Sequence, residues 1–520
     1  MFHISTYCLF LRIISLIRKI TLCWTGQIFR VPATRIKNSK QLKQYRQNDL
    51  FRGALIFLLF FVFHGSTVAS ENVKKETKLN VLFVGIDDLN DWAISKMEGY
   101  EGANTPHLDK LAQQGLLFSN AHCAAPSCGP SRTSLMTGIR PSTSGNYNNG
   151  HDWRKNDYLK DVLTLPKYFM KHGYRSIGGG KIFHELEHCR GHNDLSSWDD
   201  FFPGGQKQMP KACHPEEKPN RGMVHFDWGA TGKEVTEMSD QKVVNWAIGE
   251  LDKKQDKPFF MAVGIYRPHL PWYVPQYFFD LYPEDKITIP YNKKNWRKGF
   301  PKELINMGGS RRVWDKHVLK TNRVKEAIQG YLACVSYADY ELGRLMEALD
   351  NSAYKDNTVV VLWTDHGWHL GEKNAWAKFT LWEESTRIPL IIRSPSHNNE
   401  GKHCTRPVSL MDIYPTLLDL TGLPAYEKNE GQSLLPLIND PESLRSEPAI
   451  TTLGRRNHSI RSEHFRYIHM ANGSEGLFDH RKDPGEWNNL ADNKEYEEIK
   501  KSLKAHLPKI NVPGQPDNPI

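Results

Sequence analysis

Short apolar runs alternate with amphipathic segments over most of residues 80–395. The runs at 80–86, 259–264 and 358–364 consist mainly of aliphatic and aromatic residues, which is typical of strands buried on both faces. A long helical pattern at 324–349 precedes the third run. Strands that alternate with helices in this way predict an α/β fold, with a large mixed, mostly parallel sheet flanked by helices.

The pattern changes towards the C-terminus. One more helical pattern at 411–421 is followed by short strand-like pieces such as 465–468. We therefore predict a large domain over 71–395 and a smaller C-terminal α+β subdomain over 396–520. The segment 295–320 is rich in Lys and Arg and lacks clear periodicity, so it is predicted to be a surface insertion.

Residues 1–70 are predicted to be an N-terminal extension that ends in a signal peptide. Arg52 precedes an apolar run at 54–63, and small residues follow it. We expect cleavage near Ala69 or Ser70 and an exported protein that is periplasmic, secreted or lumenal, with no stable membrane span after cleavage. A membrane anchor is the alternative, although the run is short for a transmembrane helix.

Charge and cysteine content exclude several classes. The net charge is +9, but ten of the 68 Lys and Arg residues and one of the 59 acids lie in residues 1–70, so the remainder carries 58 of each. This balance argues against a nucleic-acid-binding surface and leaves room for a local basic pocket. The cysteines do not have zinc-site spacing. Cys189 and Cys213 could form a disulfide in an exported protein, and the sequence leaves that pairing open.

Polar residues directly follow four of the predicted strands, where an open α/β sheet places its ligand site. These residues are Asp87 and Asp88, Lys181 and His184, His269, and Asp365 and His366. Carboxylates that gather in a cleft repel one another unless a cation compensates them. Their oxygens suit one hard divalent ion, and we expect Ca²⁺ before Mg²⁺.

A further motif runs from Cys128 to Arg132 with the sequence Cys-Gly-Pro-Ser-Arg, followed by Leu-Met-Thr-Gly at 135–138. Pro130 and Gly138 predict a short helix with Cys128 at its N-terminal end, where free backbone N–H groups favour an anion. The motif resembles the signature of type I sulfatases. That resemblance implies the alkaline-phosphatase-like sulfatase fold and the oxidation of Cys128 to formylglycine by a formylglycine-generating enzyme.

The resemblance covers most of residues 80–490. Within the family, the motifs are most similar to those of the iduronate-2-sulfatase branch. They are Gly-Lys-Ile-Phe-His at 180–184, Arg-Pro-His-Leu-Pro at 267–271, Asp-His-Gly-Trp at 365–368 and Trp-Ala-Lys at 376–378. The Asn-rich segment 146–154 matches no substrate-pocket motif that the resemblance supplies.

The resemblance also implies roles for these residues. The expected metal ligands are Asp87, Asp88, Cys128, Asp365 and His366. Arg132, Lys181 and Lys378 are expected to neutralise the sulfate and to hold the hydrated formylglycine.

Two histidines are expected to move protons. His269 is the candidate acid towards the leaving oxygen, and His184 is the candidate base that expels sulfate and regenerates the aldehyde. Trp368, Lys378 and His269 are expected to contact the sugar.

The sequence therefore predicts a sulfuric ester hydrolase that acts on a sulfated saccharide, with 2-O-sulfated uronate as the implied substrate. A phosphonate monoester or phosphodiester hydrolase of the same superfamily is one alternative, and turnover of an aryl phosphonate against an aryl sulfate separates the two. A non-catalytic protein that binds sulfated glycans is the other. Loss of the nucleophile or of a metal ligand would mark it, but the sequence retains all of them.

Overall fold

Strands and helices alternate along a computed structural model that describes residues 78–97, 102–184, 194–204, 226–308 and 313–514. Cys189, Cys213 and the expected cleavage site lie outside these residues, as does the whole of the predicted N-terminal extension. The strands in the described part of the chain are β1 (Asn80–Ile86), β2 (Leu116–Phe118), β3 (Ala121–His122), β4 (Arg175–Gly180), β5 (Asp200–Phe202), β6 (Trp228–Ala230), β7 (Phe259–Ile265), β8 (Trp272–Val274), β9 (Thr358–Trp363), β10 (Arg387–Ile388), β11 (Leu390–Arg393), β12 (His403–Cys404), β13 (Val408–Ser409), β14 (Ala449–Thr452), β15 (His458–Arg461), β16 (Phe465–His469) and β17 (Glu475–Asp479).

Helices connect most of these strands. In the described residues they are α1 (Pro106–Gln114), α2 (Cys128–Thr137), α3 (Pro141–Ser144), α4 (Leu165–Lys171), α5 (Ser239–Leu251), α6 (Gln276–Asp280), α7 (Lys302–Ile305), α8 (Val313–Lys320), α9 (Val324–Asn351), α10 (Glu383–Thr386), α11 (Ile413–Leu420), α12 (Leu435–Asn439) and α13 (Glu497–Lys504). No helix in the described ranges is both long enough and apolar enough to cross a membrane.

The main sheet has eight strands in the order β12-β2-β11-β9-β1-β7-β4-β5. The five strands from β9 to β5 are parallel, whereas β11 runs antiparallel to both of its neighbours. All seven residues of β1 and all seven of β7 are buried. This arrangement confirms the predicted mixed, mostly parallel sheet and explains the nearly continuous apolar runs.

Each face of the sheet is covered by its own apolar core. One core combines Leu82, Val84 and Ile86 of β1 with residues of α5 and α9. The other combines Val81 and Phe83 of the same strand with residues of α2, α4 and α11. Because successive side chains of a strand point to opposite faces, β1 contributes to both cores and is fixed at the centre of the sheet.

The C-terminal part contains a four-stranded antiparallel sheet in the order β14-β15-β16-β17. The strand β12 lies after residue 395 and nevertheless pairs with β2 in the main sheet. Residues 77–520 form one compact unit. The division into 71–395 and 396–520 therefore stays a proposal.

Candidate active site

The candidate site lies at the carboxyl ends of the parallel strands β1, β4 and β9, beside the end of β7. Asp87 and Asp88 follow β1, Lys181 follows β4 and Asp365 follows β9. The register that pairs β1 with β7 and β9, and β4 with β7, brings these ends to one edge of the sheet. The backbone of Lys181 passes very close to the end of β7: a Cβ on Gly264 would lie 2.3 Å from the Lys181 carbonyl oxygen. Only glycine leaves room for that approach.

Cys128 enters the site as the first residue of α2, which ends with Gly138 in the left-handed region at φ 75°. Gly138 therefore terminates the helix as its sequence predicted. The side chain of Ser127 does not cap the helix. Instead, Asn149 Oδ1 accepts hydrogen bonds from the Gly129 N–H (2.8 Å) and from Ser127 Oγ (2.7 Å). Sequence reasoning missed Asn149, although it noted the Asn-rich segment that carries it.

Arg132, one turn further along α2, links two of the strand ends. Its guanidinium pairs with Asp87 Oδ1 (2.9 Å) and Asp365 Oδ2 (2.8 Å), and all three side chains are fully buried. It also donates to the Lys181 and Ile182 carbonyl oxygens at 2.8 and 2.9 Å. Arginine suits this position because its rigid fork of donors reaches several acceptors at once.

Two lysines complete the set of cations. Lys181 Nζ pairs with Asp87 and lies 4.0 Å from the Cys128 sulfur. Lys378 Nζ donates to both oxygens of Asp88, at 2.7 and 3.0 Å, and lies 3.0 Å from the same sulfur. Asp88 adopts a positive φ of 60°, a backbone conformation that costs energy outside glycine and is often found at functional sites.

The pKa values follow from burial and from these charges. Burial alone would raise the pKa of the Cys128 thiol, but Lys181, Lys378 and His366 outweigh it and hold that pKa well below its ordinary value. Burial and the neighbouring Asp365 raise the pKa of Asp87 to about 6, despite Lys181. Burial opposes ionisation of Asp365 as well, yet Arg132 and His366 lower its pKa. Lys181, Lys378 and His366 therefore favour an anion at position 128, whereas the neighbouring carboxylates oppose it.

The site contains three histidines in different settings. His366 is fully buried and places Nε2 3.2 Å from the Cys128 sulfur and Nδ1 3.4 Å from Asp88 Oδ1. Burial lowers the pKa of His184 below its ordinary value, although the neighbouring Cys128 acts in the opposite direction. His269 is partly exposed at 22%. Its Nδ1 lies 2.7 Å from the Leu270 carbonyl oxygen, so Nδ1 carries the proton and Nε2 faces Asp88 at 3.8 Å.

Trp368 lies beneath the site and is only 2% exposed. Its ring packs against Trp272 and Trp314, and Lys378 Nζ lies 5.4 Å from its centre. Asn90 accepts from its backbone N–H at 2.6 Å and donates to its carbonyl oxygen at 3.0 Å. The structure therefore places Trp368 as a buried support for Lys378, and the expected sugar contact stays a prediction.

Tyr331 of α9 is a second residue that sequence reasoning missed. Its hydroxyl donates to the Asp88 carbonyl oxygen at 2.7 Å and accepts from the Asn90 N–H at 3.0 Å. It thereby stabilises the unusual backbone of Asp88. Nothing in the helical pattern of 324–349 distinguishes Tyr331 from the other buried residues of this helix.

The cluster fits a divalent ion. Ligand atoms of Asp88, Cys128, Asp365 and His366 all lie within 4.8 Å of one another, and all four residues are buried. A second, overlapping group consists of Asp87, Asp88 and His269. The three carboxylates are balanced by Arg132, Lys181 and Lys378, so a bound divalent ion would give the site a net positive charge suited to an anionic substrate.

Comparisons with known proteins agree with this geometry. The family model described as Sulfatase matches residues 79–423, and one described as N-sulphoglucosamine sulphohydrolase, C-terminal, matches residues 371–512. A protein of Formosa agariphila named Sulfatase is 41% identical over 465 residues, which cover 86% of this chain and 90% of that protein. Iduronate 2-sulfatase of Homo sapiens is 30% identical over 386 residues, covering 66% of this chain and 69% of that protein.

A solved structure shows the same fold. The phosphonate monoester hydrolase of Agrobacterium radiobacter superposes with a TM-score of 0.67 at 22% identity, covering 83% of this chain and 96% of that one. Fold and site together define an α/β protein of alkaline-phosphatase-like architecture with a buried, acid-rich cluster at the carboxyl edge of its sheet. With the match over residues 79–423, the chain belongs to the sulfatase family and is a sulfuric ester hydrolase.

Proposed function

We propose that the protein hydrolyses the 2-O-sulfate ester of a uronate in a sulfated polysaccharide, with formylglycine derived from Cys128 and one bound Ca²⁺. One observation carries the proposal. The Cys128 side chain lies 3.0 Å from Lys378 and 3.2 Å from His366, at the centre of the buried cluster of acids and bases. This is the position that a nucleophile must occupy to meet both the ion and the anionic group of the substrate.

Five residues would hold the ion: Asp87, Asp88, Asp365, His366 and residue 128. Their oxygen-rich donor set favours Ca²⁺. When bound, the ion and formylglycine supply the activated oxygen nucleophile and the positive charge that attack at sulfur requires. Maturation of Cys128 makes a formylglycine-generating enzyme the partner of this protein.

The basic residues orient the site and bind the sulfate. Arg132 holds the Asp87 and Asp365 carboxylates in place through its two ion pairs. Lys181 and Lys378 have ammonium groups beside the Cys128 sulfur, so they are placed to bind sulfate oxygens and to stabilise the charge that develops on them. Water has little access to either lysine, since their side chains are 4% and 6% exposed.

Two histidines would move protons on opposite sides of the reacting group. His269 is partly exposed, and in its doubly protonated form Nε2 would donate a proton to the leaving sugar oxygen while Nδ1 stays bonded to Leu270. His184 lies beside Cys128, and it would remove the proton whose loss releases sulfate from position 128. Its lowered pKa keeps the ring neutral, which is the form that a base requires.

The uronate substrate is supported by the likeness to iduronate 2-sulfatase over two thirds of the chain. The partly exposed His269 faces the solvent side of the cluster, where a saccharide would enter. Export of the protein completes the proposal, because sulfated polysaccharides are found outside the cytoplasm.

Sulfate release from a 2-O-sulfated uronate disaccharide tests the proposal. The protein is co-expressed with a formylglycine-generating enzyme, formylglycine is quantified by mass, and Cys128→Ala is the matched control. We expect release only by the matured parent. Activity on an aryl sulfate without activity on the disaccharide would reject the substrate. Preference for an aryl phosphonate would reject the sulfate ester as the physiological target.

A further inference from the structure

A basic pocket of about 560 Å³ lies outside the candidate active site. It is lined by residues 292–298 together with Asn374, and we call this set the basic pocket. Its cations are Lys293, Lys294, Arg297 and Lys298, and its lining, which lies wholly in the described ranges, contains no acidic residue. Lys293 and Arg297 donate to neutral amide oxygens of Asn488 (2.7 Å) and Asn374 (3.2 Å). The positive charge of the pocket is therefore not neutralised by its own walls.

This concentration of charge is local. The chain beyond residue 70 carries equal numbers of basic and acidic residues. Four cations within the seven positions 292–298 are therefore a local excess of positive charge. Cations that line a concave surface raise the local concentration of anions. The sequence predicts a surface insertion at 295–320, and its pattern does not indicate a pocket there. Trp296 is buried in it and fixes this backbone to the protein.

The pocket is physically joined to the active site by a hairpin-like loop. Backbone hydrogen bonds from His369 to Ala377 (3.2 Å) and from Gly371 to Ala375 (2.8 Å) close this loop. One arm of the loop leads back to the predicted ligand His366, and the other leads on to Lys378.

The tip of the loop forms part of the pocket wall. The Trp296 indole N–H donates to Asn374 Oδ1 at 3.0 Å, and Asn292 Oδ1 accepts from the Lys373 N–H at 3.0 Å. Asn374 precedes Lys378 by four residues, so their backbones are at most about 14 Å apart. An oligosaccharide bound at the active site would need to span a distance of only this order to reach the pocket.

An aromatic surface lies next to the cations. Tyr291 is 70% exposed and directly precedes the pocket residues. Its ring meets Trp487 edge-on at 5.7 Å, which leaves a rigid apolar face towards solvent. Aromatic rings beside charged donors suit a ligand with both apolar and anionic surfaces, as an acidic sugar has.

We propose that the basic pocket is a subsite that binds a second anionic group, sulfate or carboxylate, of the polysaccharide whose ester is cleaved. The inference rests on the proposed function and deepens it. It makes an acidic oligosaccharide the preferred substrate over a single sulfated sugar, because the second contact adds affinity that a short substrate cannot gain.

The test removes three charges from the pocket in the variant Lys294→Gln, Arg297→Gln, Lys298→Gln. The matched control removes three exposed charges at the opposite edge of the sheet, before β7 and β9, in the variant Lys254→Gln, Lys257→Gln, Lys355→Gln. Both are made in a Cys128→Ala background, and binding of a heparin-derived hexasaccharide is measured by calorimetry at two salt concentrations. Thermal unfolding verifies that each variant folds.

We expect the pocket variant to bind the hexasaccharide about tenfold more weakly than the control, as three partly screened charge contacts would give. The loss should shrink at high salt. A non-sulfated uronate hexasaccharide identifies the anion: an equal loss assigns the pocket to carboxylates, and a loss for the sulfated probe alone assigns it to sulfates. Equal affinity of the pocket variant and the control for both probes would overturn the inference.

Failure of the proposed function would be seen separately. Binding in the Cys128→Ala background does not depend on turnover, so the subsite is tested even if the matured parent releases no sulfate from uronates. In the matured parent background, the pocket variant should lose about tenfold in kcat/KM on the hexasaccharide relative to its kcat/KM on an aryl sulfate. An equal loss on both substrates would place the residues in a structural role and reject the subsite.

Discussion

Replacement of Lys378 by Met tests the electrostatic design of the site most directly. The side chain is 6% exposed and its ammonium lies between Asp88 and the Cys128 sulfur. Methionine has a similar length and flexibility, so Lys378→Met removes the charge and its hydrogen bonds while largely filling the same space. The change should therefore report on charge and much less on packing.

The expected magnitude depends on whether the divalent ion is present. Without the ion, Lys378→Met leaves the buried Asp88 carboxylate without its cation, at a cost of about 3–5 kcal/mol in the free energy of unfolding. With the ion bound, Asp88 keeps a positive partner and the loss should be much smaller. Catalysis by the ion-bound enzyme should suffer as well. Removal of one preorganised donor from a buried site lowers kcat by roughly 10²–10³-fold, or about 2.7–4 kcal/mol.

Two measurements check this reasoning, with the exposed Lys254→Met as the control. Calorimetric unfolding in EDTA and in excess Ca²⁺ gives the stabilisation by the ion, which should be larger for Lys378→Met than for the parent. Sulfate release by the matured variants gives kcat. An equal gain from Ca²⁺ in both proteins, together with a loss of less than tenfold in kcat, would refute the assigned role of Lys378.

Three further outcomes are expected. Asn149→Ala should lower the free energy of unfolding by about 1 kcal/mol and lower kcat, because the Gly129 N–H loses its acceptor. Asn149→Asp keeps an acceptor oxygen and should retain the stability and the kcat of the parent. Thermal unfolding measures the stability, and sulfate release measures kcat. Burial lowers the pKa of His184, which acts only when neutral, so kcat should fall as the pH drops below the ordinary histidine range, and His184→Gln should remove its contribution to this acidic limb of the pH–rate profile. Arg466→Met should destabilise the protein by about 3–5 kcal/mol in chemical denaturation, because it leaves Glu383 with fewer buried partners; a loss below 1 kcal/mol would contradict this.

The central strands could be predicted closely because their sequences admit few alternatives. The apolar run at 80–86 became β1 with the same bounds, and 259–264 became β7 with one more residue. A strand buried on both faces must be apolar at every position, which makes such runs easy to find. The polar residues that follow them converge because parallel strands end at one edge, and this is why Asp88 and Asp365 were predicted together.

The rest of the site depends on contacts between segments far apart in the chain. Asn149 accepts a hydrogen bond from Gly129, and Tyr331 donates one to Asp88, across 20 and 243 positions of sequence. Neither residue stands next to a strand end or in a local motif. Trp368 is a further example: tertiary packing buries its ring, which its local motif does not reveal, and its sugar contact stays a prediction. Local patterns do not encode which side of a loop faces the core.

The C-terminal sheet contacts the segment that follows Lys378, although the sequence predicts the two in different domains. Arg466 of β16 is fully buried, donates to the Leu381 carbonyl oxygen at 3.2 Å and pairs with Glu383. Both partners lie within five residues of Lys378, on the segment that leaves the active-site hairpin. Asp88 thus holds the Lys378 ammonium directly, and Arg466 of β16 holds the segment that follows Lys378. Preorganisation of a charged donor requires fixed surroundings, so these contacts of β16 are expected to support the active site from outside it.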